Sequence, residues 1–216
     1  VQTKTVGDQG DSTDDIIVYL SGINQSHTGV EIEMSAQLND MFRLDLGVGL
    51  GNWVFTDDAS GTYRDGDDEN EYAYALKDLK VGDMPQANFS TALTVTPIEG
   101  AKIQAIYRYY ALHHADWNVS SREYTPGESS PDPSTNWKAP NYGLLDLHAT
   151  YDIPFELGPA KPQIFLHVFN MLDEVYIQDA VDNSRYNDWD GNHTADDAEV
   201  FMGLPFRFNA GLSFTF

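Results

Sequence analysis

The strongest constraint in this sequence is a two-residue rhythm. Apolar side chains stand at Val30, Ile32, Met34, Ala36 and Leu38, with Glu31, Glu33, Ser35 and Gln37 between them. After Asn39-Asp40 the rhythm resumes with Phe42, Leu44, Leu46, Val48 and Leu50 against Arg43, Asp45, Gly47 and Gly49. Successive side chains of a strand point to opposite faces, so each segment folds as a strand with one apolar and one polar face, and the short break reads as a hairpin turn. The pattern returns at Ala87, Phe89, Leu93 and Val95, and residues 101 to 112 follow the Pro97-Ile98-Glu99-Gly100 turn. It returns again at Leu145, Leu147, Ala149 and Tyr151, at Ile164, Leu166 and Val168, and from Phe206 through Phe208, Ala210, Leu212 and Phe214 to Phe216. No stretch keeps a helical period. An all-β fold of about seven antiparallel strands follows, in which residues 15 to 38 form either one long strand with bulges at Gly22 and Gly29 or two shorter ones.

The connections add a second rhythm. Short turns fall near residues 39 to 41, 97 to 100 and 154 to 162, while long polar stretches fill 56 to 85, 113 to 140 and 171 to 203. Placing every long loop at one end is the habit of an outer-membrane barrel, with short periplasmic turns and long extracellular loops. A seven-stranded sheet left open in lipid would expose two rows of unpaired backbone groups, each costing several kcal/mol. The sequence therefore predicts that the chain is a piece of a larger transmembrane β-barrel whose other strands are not included. The first residues, Val1-Gln2-Thr3-Lys4, show neither an initiator Met nor the apolar run of a signal peptide, as expected for such a piece.

Charge and composition narrow the partners. With 34 acidic and 12 basic residues the formal charge is -22, which repels phosphate backbones, so no nucleic-acid partner is expected. The acids crowd into segments such as 57 to 71, DDASGTYRDGDDENE, which reads as a solvated loop. There is no Cys, hence no disulfide framework and no thiolate chemistry. No run of about 18 apolar residues crosses a bilayer as a helix, a test that leaves strands untouched. Nucleophile elbows, HExxH and phosphate loops are all missing, so the chain is not read as an enzyme and no cofactor is expected.

Several pieces in order resemble the C-terminal barrel of TonB-dependent outer-membrane receptors: Thr28-Gly29-Val30-Glu31-Ile32-Glu33, Val81-Gly82-Asp83-Met84-Pro85, Tyr142-Gly143-Leu144-Leu145-Asp146-Leu147, Val168-Phe169-Asn170-Met171-Leu172-Asp173-Glu174-Val175-Tyr176, and Gly203-Leu204-Pro205-Phe206-Arg207 leading to Phe216. Phe206 separates Pro205 from Arg207, where the family commonly has Pro-Arg adjacent. The resemblance implies a barrel of 22 strands around an N-terminal plug, residence in the bacterial outer membrane, and uptake of a scarce nutrient such as a siderophore, vitamin or glycan, driven by the inner-membrane TonB complex through the plug. The implied partners are outer-membrane lipid, the preceding barrel strands and plug, the TonB complex, and the barrel-assembly machinery. That machinery would read the terminal strand with Phe208, Leu212, Phe214 and Phe216.

Candidate contacts lie in the long connections, where Tyr63, Trp117, Tyr124, Trp137, Tyr186 and Trp189 stand near carboxylates and amides in a composition suited to stacking on sugars or flat ligands. Aromatics there equally serve to pack loops or mark the membrane interface. Asp182, Asp188, Asp190, Asp196 and Asp197 form an acidic group that either binds calcium loosely or is simply hydrated. His148 and His167 share the polar parity of paired strands, which brings them nearly face to face; two histidines without a third ligand read as solvated hydrogen-bonding groups rather than a metal site, His113-His114 point to opposite faces if extended, and no metal site is assigned. The rival readings are a passive porin and a soluble secreted β-sandwich that binds carbohydrate.

Overall fold

A computed structural model of the chain describes residues 2–7, 15–20, 23–65, 68–118, 122–127, 136–155, 158, 160–182 and 192–215. Among the described residues fourteen strands run in order: β1 (Gln2–Gly7), β2 (Asp15–Leu20), β3 (Gln25–Gln37), β4 (Phe42–Phe55), β5 (Ala59–Asp65), β6 (Asp68–Tyr74), β7 (Ala87–Val95), β8 (Ala101–Ala111), β9 (Glu123–Tyr124), β10 (Tyr142–Asp152), β11 (Lys161–Phe169), β12 (Ile177–Val181), β13 (Glu199–Met202) and β14 (Arg207–Thr215). Seven of them form one antiparallel sheet in the order β14-β11-β10-β8-β7-β4-β3. These are the strands marked by alternation, joined as an up-and-down meander with the short turns at one end.

Register decides what each face carries. Opposed residues share a face, so the row Ala36, Leu44, Leu93, Ala105, Leu147, Val168 and Phe208 can be followed across all seven strands. Its neighbours on that side include Met34, Leu46 and Tyr107 above, and Phe42, Val95, Ile103 and Leu166 below. Every Asp, Glu, Lys and Arg of the seven strands lies on the opposite face: Glu31, Glu33, Arg43, Asp45, Lys102, Arg108, Asp146, Asp152, Lys161 and Arg207. From Val30 to Leu38 the apolar side spans eight residue-to-residue steps, roughly 26 Å along the strand at about 3.3 Å each. That approaches the apolar band of about 25 Å that a barrel presents to lipid. Above it, Thr28 and Asn52 restore polarity, and Lys80 donates to Asn52 Oδ1 at 2.6 Å.

The apolar face is bare in the isolated chain. Phe208 is 67% exposed and Ile32 61%, and Leu212, Leu50 and Val30 are similarly open. The buried core lies elsewhere, at the end of the long connections, where Phe55, Ala59, Tyr74, Leu76, Leu79 and Trp117 cluster.

One open alternative is resolved and one expectation changes. Residues 15 to 38 are two strands: β2 leaves the main sheet to pair with β1 and lies against β5, and the sheet proper starts at Gln25. The long connections are also not plain hydrated loops. β5 and β6 form a hairpin joined by β9, β12 pairs with β13, and single bridges tie Val54 to Lys80, His114 to Lys138 and Asp116 to Val181. Their acidic content concealed enough apolar residues, Ala59, Tyr74, Leu76 and Leu79 among them, to close a core of their own.

Candidate ligand-facing surface and loop layer

On the charged face the strands bring together groups that composition alone scatters. Arg43 donates through Nε and Nη2 to Asp45 at 3.0 and 2.8 Å, two residues along the same strand. Arg108 and Asp146 pair between β8 and β10 at 2.5 Å. One row reads Gln37, Arg43, Thr94, Gln104, His148, His167 and Asn209, hydrophilic from edge to edge. Within it Gln104 donates to Thr94 at 3.0 Å, and the Nδ1 atoms of His148 and His167 lie 2.9 Å apart. A surface of this kind suits water and polar solutes and is costly against acyl chains, as the apolar face is in water.

Higher on the same face, bare backbone at Gly49 and Gly51 forms the floor of a cavity of about 370 Å³. Its wall is the His27 imidazole stacked on the Trp53 indole, 5.3 Å between centroids at 20°, and Glu31 and Asn88 complete the lining. A Cβ at Gly49 would meet the Asn88 amide at 2.7 Å, so glycine is what lets that amide cross the strand. Gln86 fixes the wall by accepting from the Trp53 amide at 3.0 Å and donating to the Trp53 carbonyl at 2.9 Å. None of these was singled out as a ligand contact from the sequence. The alternation exposed the parity of Glu31, but the partner of a stacked ring is a matter of register.

The loop layer tells where the aromatic candidates went. Trp117 is 1% exposed, set edge-on to Phe55 at 6.5 Å and tilted against Tyr74 at 5.9 Å. This corrects its assignment as a contact: the indole is the middle of the loop core and offers no face to a ligand. Tyr124 is half-buried and donates to Asp58 Oδ2 at 3.1 Å, and Asp58 also accepts the amides of Leu76 and Lys77. Trp137 is half-buried, its carbonyl accepting from Ala115 at 2.8 Å. Tyr63 lies on β5; its side chain, like Tyr186 and Trp189, falls outside the described residues. Phe208, Leu212 and Phe214 are exposed on the apolar face of β14, and Phe216 is outside the described residues.

Asp182 is taken up internally. Fully buried, it holds Arg122 Nη2 at 3.3 Å and His193 Nδ1 at 2.7 Å, both through Oδ2, so a guanidinium already stands against that oxygen. Asp197 is buried too, Asp196 is exposed, and Asp188 and Asp190 fall outside the described residues. Among the described residues, no group of three or more His, Cys, Asp or Glu converges on a metal-sized point. His113, 3% exposed, has its pKa pushed below the ordinary imidazole value by burial, partly countered by Asp179. His114 shifts the same way, through burial first and then through Lys80 and Lys138.

The third long connection is anchored by Asn170, in the left-handed region at φ 48°. Its amide side chain donates to the carbonyls of Glu174 and Leu204 at 2.9 and 3.2 Å and accepts from the Glu174 amide at 2.9 Å. Its own backbone amide donates to Asp146 Oδ1 at 2.9 Å, tying the knot to the charged face. The sequence profile of the TonB dependent receptor-like, beta-barrel family matches residues 2–171, most of the chain and six of the seven sheet strands. The chain belongs to that family. Among curated proteins none matches it. Family membership makes this part of the barrel of an outer-membrane receptor involved in transport.

Proposed function

We propose that this chain forms the C-terminal wall and three outward loops of a receptor that takes up a scarce nutrient by TonB-driven release through a plug. The observation that carries the reading is the complete sorting of the strand charges to one face, which supplies a hydrophilic inner wall next to an unbroken lipid-facing one. Further strands of the receptor would pair with the edges at β3 and β14, which end the sheet here. The packed loop layer favours a receptor over a passive pore, because connections that share a core present a preformed outer surface to a ligand. Siderophore, vitamin and glycan remain alternative cargoes. The test is uptake by cells carrying the receptor as their sole route for an iron chelate, a cobalamin or an oligosaccharide. One of these should enter only while the inner membrane is energised. Entry undiminished by a protonophore would establish a passive channel instead.

A further inference from the structure

We propose that His148 and His167 form a two-imidazole seat for a Cu²⁺ or Ni²⁺ ion on the inner wall, each donating Nδ1 to one of two adjacent coordination positions. The pair is directly opposed on β10 and β11, with its Nδ1 atoms 2.9 Å apart. The hydrogen bond between them needs one Nδ1 bare and the other protonated; when a metal binds, that ring carries its proton on Nε2 instead, and both Nδ1 atoms already face the space that the metal would occupy. Metal–imidazole bonds of about 2.0–2.1 Å reach two nitrogens at that spacing with an angle of about 90° between them. Right angles belong to the square and octahedral arrangements of Cu²⁺ and Ni²⁺, which also lead the affinity order for imidazole.

The rings are held for this geometry. Phe165 stacks on His167 with centroids 5.4 Å apart and 27° between planes, and Phe169 meets His148 edge-on at 5.5 Å. Arg207 lies over the Phe169 ring, its Cζ 4.8 Å from the ring centroid. The nearest acid, Asp146, is engaged by Arg108 and by the Asn170 amide, so it does not complete the shell. Two positions are filled by the wall, and the remainder are left to water or to donors that travel with the ion. A two-ligand seat therefore holds a chelated ion in passing more readily than it buries a structural one, which suits a transport wall.

This rests on the reading that the charged face lines a wet interior, and the experiment separates the two. The receptor, purified in detergent, is titrated with Cu²⁺ alone and with Ni²⁺-nitrilotriacetate, whose chelator leaves two adjacent positions free. Electron paramagnetic resonance of the copper form should show imidazole nitrogen coupling at one equivalent. His148→Ala and His167→Ala should each weaken binding at least tenfold, with no further loss in the double variant. His148→Asn keeps the row polar and serves if the alanine form assembles poorly. Retention of the nickel chelate identifies carried ions as ligands, and binding of Cu²⁺ alone restricts the seat to the hydrated ion. Equal binding by parent and variants overturns the seat. In parallel, Gln104→Cys, in the same row as His148, should react with a membrane-impermeant maleimide. Labelling there with unaltered metal binding in the histidine variants refutes only the metal seat, whereas failure to label refutes the inner-wall reading and the seat with it.

Discussion

Arg108 Nη1 and Asp146 Oδ2 meet at 2.5 Å as diagonal neighbours on β8 and β10, while Oδ1 of the same carboxylate accepts the Asn170 amide at 2.9 Å. One side chain thereby joins the inner wall to the start of the third outward connection. Replacing it with Ala leaves a guanidinium and a buried amide without their acceptor. The expected loss is about 2–3 kcal/mol, the usual range for a charge-assisted hydrogen bond plus an unsatisfied donor. Asp146→Asn, which can still accept from Asn170, should lose less. Urea unfolding of the receptor in lipid measures both, and equal midpoints for Asp146→Ala and the parent would contradict the linkage.

Asn170→Ala should be at least as costly, about 2–4 kcal/mol, because it removes three side-chain hydrogen bonds and places a non-Gly, non-Asn residue at positive φ. Proteolysis should then cut the connection near residues 171 to 176 faster than in the parent. Unchanged cleavage would show that the knot does not hold the connection.

Adjacent positions on β7 should respond oppositely to the same charge. Leu93 lies in the apolar row and Ala92 in the row of Asp45. Leu93→Arg should lower barrel stability by about 2–4 kcal/mol, the known scale for Arg facing lipid near the bilayer centre, and Ala92→Arg should be nearly neutral. Comparable losses at both sites would undo the assignment of faces.

Acid should loosen the loop layer before the barrel wall. Burial lowers the His113 and His114 pKa values, so the folded layer favours neutral rings, while unfolded rings take up protons near the ordinary value of 6.5. Stability from these two residues is complete above that pH and is lost as pH falls through it toward the lower folded values. Hydrogen exchange at Ala115 and Ala139, whose amides bond to the Trp137 and His113 carbonyls, should accelerate between pH 7 and pH 5. His113→Asn should flatten that response.

The terminal strand carries a prediction about biogenesis. Phe216→Asp should reduce the amount of receptor assembled in the membrane more than the uptake per assembled molecule, in keeping with recognition of the Phe208, Leu212, Phe214 and Phe216 pattern by the assembly machinery. Quantifying folded receptor by its heat-modifiable migration decides it, and normal levels would reject the signal.

The wall was legible because its rule is local. Val30 to Leu50 announces two strands and a turn by period alone, and parity then places Glu31, Arg43 and Asp45 together without knowledge of any partner. The opposed pair His148 and His167 followed from the same parity, since their two strands share one short turn. The loop layer obeys no such period. Trp117 is buried because Phe55 and Tyr74, from the end of β4 and from β6, close around it, and nothing in the flanking residues of Trp117 encodes that meeting. Asp182 looked like one acid among many until Arg122, 60 residues earlier, came to lie beside it. Contacts of this kind are non-local in sequence and rest on the strands arriving first.

The pairing of β9 with β6 and of Asp116 with Val181 links all three outward connections into one body. These segments therefore stand or fall as a set. A transplant of the first alone into another receptor would carry Phe55 and Tyr74 away from the indole that fills the space between them, and a single-segment replacement here would strand Trp117 in water. Diversification of such a surface proceeds by paired exchange or by change at its rim, which makes the whole outward assembly, and not the individual hairpin, the natural module for engineering a new specificity.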